Sequence, residues 1–327
     1  FWMYTRIMII PTRILFWVEP IEKPRYWRTA AFENYANGGW TVLSPSRYEY
    51  HGDFLPQEIE KPGAVPNDAY RMIFNNETTG YLPNALHSTR LYESEPPAGV
   101  MLDRLQNFYT SSSVHAYRFD TFATPYTAED LMKGYFSADK VHSELTAVPG
   151  TVPLRVKALA LTITTGSDTA MDKIKAILTY LKTNYAFTNE PQDVPDGVDM
   201  VDNFLFSARA GSSLEFASSF SLLCRYNSIP CRFVTGFALG DIVEGRRAVR
   251  AGHFHAWAEV LFANLGWVQF ETSTSDFIKS PSKVGAAGSD PTVGDLNLQN
   301  GTIVIGGGGG GTTQNNTTEQ EMPVVNA

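Results

Sequence analysis

The chain has 327 residues, of which 43% are hydrophobic and 18% charged, a composition that indicates a folded protein and excludes an intrinsically disordered one. Its formal net charge is −8, with no block of Lys or Arg, so nucleic acid and anionic membrane surfaces are not expected as its main partners. No run of 18 apolar residues is present, so no membrane-spanning helix is predicted.

Residues 1–125 are predicted to form a β-rich N-terminal domain. The first 18 residues are apolar but are interrupted by Pro11 and by charged residues, which favours strands over a signal peptide. Aromatic runs follow, and Asn37-Gly38-Gly39 between two of them is a strong hairpin signal. Aromatic packing explains this composition best, and a sugar-binding aromatic face is the alternative.

Residues 126–280 are predicted to form a second domain, which begins with helices. The segments 127–136 and 153–164 both favour helix. A longer amphipathic helix is predicted from apolar residues at the i, i+3, i+4 and i+7 spacing, namely Ile174, Ile177, Leu178 and Leu181. Ser167 and Asp168 precede it as candidate N-caps.

Residues 281–327 are predicted to be a flexible tether. Their periodicity fades, and the six consecutive glycines at 306–311 cannot bury enough apolar surface to become ordered. We expect the tether to hold the folded part away from a membrane anchor outside this sequence. Asn-X-Ser/Thr sequons give weak support for an extracytoplasmic setting and occur at Asn76, Asn300, Asn315 and Asn316.

Neither a metal site nor an organic cofactor is predicted. Cys224 and Cys231 are the only cysteines, and two buried free thiols are favoured over a disulfide. His253 and His255 lie two apart on one predicted strand face and could bind a metal, but no third ligand stands at a convincing spacing.

Three stretches carry the residues of a candidate active site. Ser213 stands at the start of a predicted helix in "GSSLEFA" (211–217). His255 heads the strand-like run "GHFHAWAEVLF", and Glu271 ends the run "GWVQFETS" after a short turn, so a hairpin would bring the two side by side.

These residue types fit nucleophilic catalysis. A hydroxyl is a weak nucleophile until an adjacent base takes its proton, and that base needs an acceptor to hold its tautomer. A helix start adds free amides that favour developing negative charge. The predicted roles are nucleophile for Ser213, general base and then acid for His255, and orienting carboxylate for Glu271, with the Ser213 N–H as one oxyanion donor.

Taken in order, "DNFLFSARAGSSLEFASSFSLLCRYNSIPCRFVTGFALG", "HAWAEV" and "GWVQFETS" resemble the transglutaminase-like superfamily, a branch of the papain-like fold. The resemblance covers roughly residues 140–275 and is strongest to the extracytoplasmic domains of membrane-anchored prokaryotic members. "YWRTAAFENYANGGW" is less specifically similar to the region that precedes the core in those members.

The resemblance implies an α+β protein with a papain-like transglutaminase core. It also implies acyl transfer or amide hydrolysis on a peptide or protein substrate, with cell-envelope polymer as a candidate, at the cell surface or in the periplasm. No cofactor is implied.

The chain departs from the family pattern at two site residues, because Ser213 falls on the nucleophilic Cys and Glu271 on the Asp. Glu keeps the charge, but an alcohol does not ionise near neutrality as a thiol beside an imidazole does. Three interpretations remain open: a deliberate Cys→Ser substitution, a natural chain that kept its scaffold for binding, and a genuine Ser-His-Glu hydrolase. We therefore expect an inactive or weakened enzyme, and the alternative is a non-catalytic binding module that uses the degenerate cleft.

Four neighbouring residues are expected to have structural roles. Trp257 and Trp267 are predicted to pack in the core, Arg232 to form a structural ion pair, and Glu215 to be a solvated helix residue.

Overall fold

The computed structural model describes residues 12–23, 25–43, 46–52, 55, 68–92, 99–122, 126–136, 143–274, 296–299 and 302–305. The first nine strands are β1 (Ile14–Glu19), β2 (Trp27–Phe32), β3 (Asn34–Ala36), β4 (Gly39–Thr41), β5 (Tyr48–Glu49), β6 (Asp68–Leu82), β7 (Ser88–Leu91), β8 (Val100–Leu102) and β9 (Phe108–Thr121). The other strands are β10 (Ala186–Phe187), β11 (Ala210–Gly211), β12 (Cys231–Phe237), β13 (Asp241–Val243), β14 (Arg246–Arg250), β15 (Phe254–Phe262), β16 (Gly266–Phe270), β17 (Leu296–Gln299) and β18 (Thr302–Ile305). The α-helices are α1 (Ala128–Met132), α2 (Leu154–Ile163), α3 (Ala170–Asn184), α4 (Met200–Asn203) and α5 (Ser213–Tyr226). The mixture confirms the predicted α+β class.

An eight-stranded sheet dominates the N-terminal part, as the β-rich prediction expected. Its order is β13-β14-β1-β6-β9-β8-β5, with β7 also paired to β9. Alternate residues of its central strands fill one buried face, a pattern typical of a half-buried antiparallel sheet: Phe16, Val18, Tyr70, Met72, Phe74, Tyr117 and Phe119. The Asn37-Gly38 hairpin is confirmed between β3 and β4, where both residues have the positive φ that a two-residue turn requires.

A six-stranded sheet, in the order β17-β18-β16-β15-β12-β2, supports the helices of the second part. Helix α5 lies against β15 and β12, and α2 and α3 pack on α5. The predicted helix 153–164 is confirmed as α2. The amphipathic helix predicted from Ile174, Ile177, Leu178 and Leu181 is confirmed as α3, and its apolar stripe is buried. The stripe therefore anchors α3 on the helix that carries Ser213.

Two helix boundaries differ from the predictions. The N-cap of α3 is Thr169, not Ser167 or Asp168, because Thr169 and Asp172 exchange side-chain-to-backbone hydrogen bonds as a capping box. Helix α1 is shorter than the predicted segment 127–136. It ends before Gly134, whose position lies so close to the Phe262 ring that a Cβ there would clash with it.

The predicted boundary at residue 125 is crossed by strand pairing in both directions. Strand β2 pairs with β12 in the core sheet, and the β13–β14 hairpin extends the N-terminal sheet through β1. The division into two domains remains a prediction, but neither sheet is complete without strands from the other segment.

Part of the predicted tether forms strands. Residues 296–299 and 302–305 form β17 and β18, and β18 pairs in parallel with β16. The run "TIVI" at 302–305 is rich in β-branched residues, which favour strands. The remainder of the predicted tether, including the six glycines, lies outside the described residues. Within the described ranges, no helix combines the length and apolar composition that a membrane span requires.

Candidate active site

Helix α5 starts with a closed capping box. The Ser212 hydroxyl accepts a hydrogen bond from Leu214 N–H at 3.3 Å, and the Glu215 carboxylate accepts from the Ser212 N–H at 2.8 Å. Glu215 is buried, so the prediction that it is solvated was wrong: its carboxylate satisfies the helix start instead. Ser213 is the first residue inside the helix and is only 6% exposed.

The chain enters α5 along a fixed path. A π-helical turn, Phe204–Ala208, ends at Arg209 in the left-handed region, and β11 follows, paired in parallel with the earlier β10. A Cβ on Gly211 would approach Glu215 and Phe204 to within 2.9 Å, so no larger residue fits at this point. The position of the helix start is therefore determined by close packing.

Ser213 lies beside the strand that carries His255. The Ser213 hydroxyl oxygen accepts a hydrogen bond from the backbone N–H of Ala256, the residue after His255, at 3.1 Å. The first turn of α5 and the start of β15 thus meet at this oxygen, although the two residues are 43 positions apart in the chain.

His255 and Glu271 form a buried pair. The distance between His255 Nε2 and Glu271 Oε2 is 2.7 Å, and both side chains are fully buried. The β15–β16 register pairs Ala258 with Phe270, so its continuation sets Glu271 opposite Trp257 and makes His255 a diagonal neighbour. Diagonal neighbours lie about 7–8 Å apart at the backbone, a span that a long side chain such as Glu can bridge.

The Glu271 carboxylate is held at both oxygens. Oε2 accepts from Tyr26 Oη–H at 2.8 Å as well as bonding His255, and Oε1 accepts from the N–H and the hydroxyl of Ser273, each at 2.8 Å. Burial favours a raised pKa for Glu271, but the His255 interaction, attraction to Lys182 and the Ser273 N–H together lower that pKa to about 2. Because this carboxylate is ionised, His255 Nε2 is assigned as the donor, which makes Nδ1 the basic ring nitrogen.

Tyr26 is the site residue that sequence reasoning missed. It lies just before β2, 245 residues from Glu271, and its ring packs edge-on to His255 at 5.4 Å between centroids. Burial, together with the charge and hydrogen bond of Glu271, raises the pKa of Tyr26 well above its usual value, so its phenol remains a donor. The only available signal was the similarity of "YWRTAAFENYANGGW" to the region that precedes the family's core, and it does not single out this residue.

The expected structural roles of Trp257, Trp267 and Arg232 are confirmed. Trp257 and Trp267 are buried. Arg232 pairs with the buried Glu259 at 2.6 Å and lies over the Trp267 ring. Cys224 and Cys231 are buried and unbridged, as predicted.

His253 does not share a strand face with His255, so that expectation was wrong. His253 belongs to a 3₁₀ turn before β15, where Nδ1 accepts from Arg250 N–H and Nε2 lies 3.2 Å from Asp241. In the part of the chain that the structure describes, no group of three or more His, Cys, Asp or Glu residues is placed to hold a metal ion.

A buried helix start here presents a hydroxyl to a hairpin that carries the paired His255 and Glu271. Residues 157–272 match the family described as "Transglutaminase-like superfamily". The chain therefore carries a transglutaminase-like domain with a β-rich N-terminal region, and the resemblance drawn from the sequence motifs is confirmed.

Similar solved structures and curated relatives extend this match. Two crystal structures of the periplasmic domain of TgpA from Pseudomonas aeruginosa are similar to this chain, with TM-scores of 0.59 and 0.58 and sequence identities of 19% and 18%. Each alignment includes 80% of this chain, and the alignments include 88% and 90% of the TgpA domain. This likeness establishes the fold.

Among curated proteins, "Uncharacterized protein YebA" of Bacillus subtilis is 36% identical over 157 residues, which is 44% of this chain and 21% of YebA. A "Protein-glutamine gamma-glutamyltransferase" of Pseudomonas aeruginosa is 30% identical over 89 residues, 27% of this chain and 13% of that protein. The chain thus spans about a fifth or less of the length of these relatives.

Proposed function

We propose that this chain is an extracytoplasmic acyl-transfer domain that acts on amide groups of peptides or proteins and is weakened by a serine at the nucleophile position. The observation that carries the proposal is the contact of the Ser213 hydroxyl with the backbone beside His255, whose ring is paired with Glu271 at 2.7 Å. A glutamine side chain or another amide is the acyl donor, and an amine or water is the acceptor.

The proposed reaction has two balanced halves. Ser213 Oγ attacks the amide carbonyl while its proton passes to His255 Nδ1, and the oxyanion faces the N–H of Ser213 at the start of α5. His255 returns the proton to the leaving nitrogen, the C–N bond breaks, and an acyl ester on Ser213 remains. An amine or water then attacks the ester, and His255 takes and returns one proton again.

The serine explains why the domain is expected to be slow. A backbone N–H aimed at the Ser213 oxygen stabilises negative charge there, which suits a thiolate. A hydroxyl does not ionise near neutrality, so the same donor only engages the lone pair that must attack. The site thus has the geometry of a thiol enzyme and lacks its sulfur.

Partners and location follow from the same proposal. The expected partner is a peptide or protein, or a cell-envelope polymer that contains amides, and no cofactor takes part. The proposed extracytoplasmic location is supported by the periplasmic origin stated for the similar TgpA structures. Anchoring to a membrane would come from segments outside this sequence.

The rival function is a non-catalytic module that binds a peptide or an envelope polymer in a cleft at Ser213 and His255, without reacting with it. The observation that favours it is the same contact, because the Ser213 oxygen already accepts a hydrogen bond from Ala256.

The deciding experiment compares the parent with Ser213→Cys and Ser213→Ala, using an acyl-reactive probe and a glutamine peptide with a fluorescent amine. We expect slow labelling of the parent, fast labelling of Ser213→Cys and none of Ser213→Ala. Adding Glu271→Gln to Ser213→Cys should lower the rate by about 10²–10⁴-fold, because the ring loses its orienting charge. If neither the parent nor Ser213→Cys reacts, the acyl-transfer proposal is wrong and the binding module is favoured.

A further inference from the structure

A side chain from outside the segment that matches the family bonds the pair formed by His255 and Glu271. Tyr26 donates to Oε2 of Glu271 at 2.8 Å, and the same oxygen bonds His255 Nε2 at 2.7 Å. The family match begins at residue 157, so it does not include Tyr26.

Two buried donors therefore share one carboxylate oxygen. Tyr26 is 5% exposed, and His255 and Glu271 are fully buried, so water does not replace a lost donor easily. A hydrogen bond to a charged group in such a place is stronger than one between neutral groups. The phenol must therefore reduce the negative charge that Oε2 presents to the ring of His255.

Orientation of the carboxylate does not depend on Tyr26 alone. The other oxygen, Oε1, accepts two hydrogen bonds from Ser273, and Glu271 directly follows β16. With three of its four hydrogen bonds intact, Glu271 should stay in place when the phenol is removed. The charge effect of the phenol then outweighs its effect on position.

The other charged or titratable groups around this carboxylate are few in the described part of the chain. His255 faces it from β15, Tyr26 from the segment before β2, and Lys182 acts on it from α3. Lys182 attracts Glu271 from another element and is unchanged by a substitution at Tyr26. A change in reactivity on removal of the phenol can therefore be assigned to the oxygen that it shares with His255.

We propose that Tyr26 is a positioning residue that weakens the electrostatic stabilisation of the His255 imidazolium by Glu271. The ring can then return its proton to the leaving nitrogen. This inference rests on the proposed acyl-transfer function. Without the phenol, Glu271 stabilises the imidazolium more strongly, so in a Ser213→Cys variant the thiolate–imidazolium pair persists over a wider range of pH.

The test uses Ser213→Cys, in which the sulfur reports the state of the pair through alkylation by iodoacetamide, with loss of iodide and formation of a C–S bond. The rate at the new sulfur is followed by peptide mass spectrometry, which separates it from the buried Cys224 and Cys231. Alkylation should rise once where the thiolate–imidazolium pair forms and again where the imidazolium loses its proton. The distance between these two steps on the pH axis measures the stability of the pair.

Tyr26→Phe in this background should widen the interval by about one pH unit, the tenfold change that a bond of this kind represents. Tyr35→Phe is the matched control, since it removes another buried phenol that bonds a carboxylate, Asp199, away from the site. The control should leave the interval unchanged. A purely structural role of Tyr26 would lower the melting temperature without moving the two steps.

The outcomes separate the two proposals. Two steps in Ser213→Cys with the same or a narrower interval in Tyr26→Phe would overturn the role of Tyr26 and leave the proposed function standing. A single step in Ser213→Cys, in the range of an ordinary thiol, would mean that no ion pair exists and would overturn the role of Tyr26. The proposed function would fall only if neither the parent nor Ser213→Cys also transferred an acyl group to the fluorescent amine.

A second variant covers the case in which Tyr26→Phe does not fold. Site-specific replacement of Tyr26 by 3-fluorotyrosine keeps the ring and the hydroxyl and makes the phenol a stronger donor. The interval between the two steps should then become narrower, the opposite of the effect of Tyr26→Phe. An unchanged or wider interval would contradict the proposal.

Discussion

Glu271 is the residue that the rest of the site depends on. The motif match places it where the family has an Asp, so its side chain is one methylene longer. One carboxylate oxygen bonds His255 and Tyr26, and the other bonds Ser273. A buried carboxylate is costly unless its lone pairs are filled by donors. Here two of the hydrogen bonds come from the nearby Ser273, and the other two come from His255 on β15 and from Tyr26, 245 positions away.

The stability of the protein should depend on pH through Glu271. Burial acts to raise its pKa, but His255, Lys182 and Ser273 lower the pKa from 4.5 to about 2. A carboxyl group with a lowered pKa stabilises the folded state above the unfolded pKa, and this contribution is lost as the pH falls from 4.5 to about 2. Glu271→Gln should therefore be less stable at neutral pH and show a flatter dependence in that window, measured by urea unfolding at stepped pH.

The exposed Glu129, which pairs with Lys133 on α1, provides the control. Glu129→Gln should keep the slope of the parent in the acid range. If Glu271→Gln also kept the parent's slope of unfolding free energy against pH, the buried carboxylate would not be the source of the acid sensitivity.

At the scale of the element, the start of α5 combines two functions. Its capping box gives acceptors to the N–H groups of Ser212 and Leu214, and the same turn presents Ser213 to β15. Glu215 belongs to this box, which explains why a carboxylate in the middle of "GSSLEFA" is buried rather than solvated. A capping box satisfies free donors reciprocally, so its members are tied to the helix end wherever the end lies.

Loss of the N-cap should affect both stability and reactivity. Ser212→Ala should lower the free energy of unfolding by about 1 kcal/mol, because one amide of the first turn loses its acceptor. In the Ser213→Cys background it should also slow alkylation, since the helix start that supports the anion becomes frayed.

Thr169→Ala is the matched control, because Thr169 caps α3 with an equivalent box formed with Asp172. It should cost a similar free energy of unfolding and leave alkylation unchanged. Equal effects of the two substitutions on alkylation would show that the cap of α5 has no special role in the chemistry.

At the scale of the molecule, the N-terminal segment is part of the structure that holds the site. Trp40, from the β3–β4 hairpin, donates to the Ser218 hydroxyl at 2.9 Å and stacks on Phe233 of β12, with Arg225 over its ring. Strand β2 completes the core sheet beside β12. The helix that carries Ser213 is therefore held in place by Trp40 and strand β2 of the N-terminal segment, which we call the N-terminal clamp.

Removal of the Trp40 side chain from the N-terminal clamp should weaken the packing of α5 selectively. Trp40→Ala should lower the free energy of unfolding by about 3–5 kcal/mol, the usual cost of truncating a large buried aromatic side chain. Amide hydrogen exchange in α5 should accelerate at the same time, because the helix loses its packing partner. Trp17→Ala, on the half-buried Trp17 of β1, is the control and should leave exchange in α5 unchanged. Parent-like protection of α5 in Trp40→Ala would contradict the clamp.

Local signals in the sequence were sufficient for several elements, and motif order selected three candidate residues of the site. Asn37-Gly38 predicts the turn of the β3–β4 hairpin because few residues adopt positive φ. The spacing of apolar residues predicts α3 because only one face of that helix is buried. Ser213, His255 and Glu271 were selected because their residue types stand in the order of a known family pattern.

The amino-acid sequence by itself determined the α+β class and the hairpin of β15 and β16, and it selected Ser213 as the candidate nucleophile. The tertiary structure alone decided that Tyr26 shares the carboxylate of Glu271 and that β2 completes the core sheet. The physical reason is distance along the chain. Turns and helices follow from neighbouring residues, whereas a contact across 245 positions depends on the pairing register of whole strands. A register shift of one residue would turn Tyr26 away from the site.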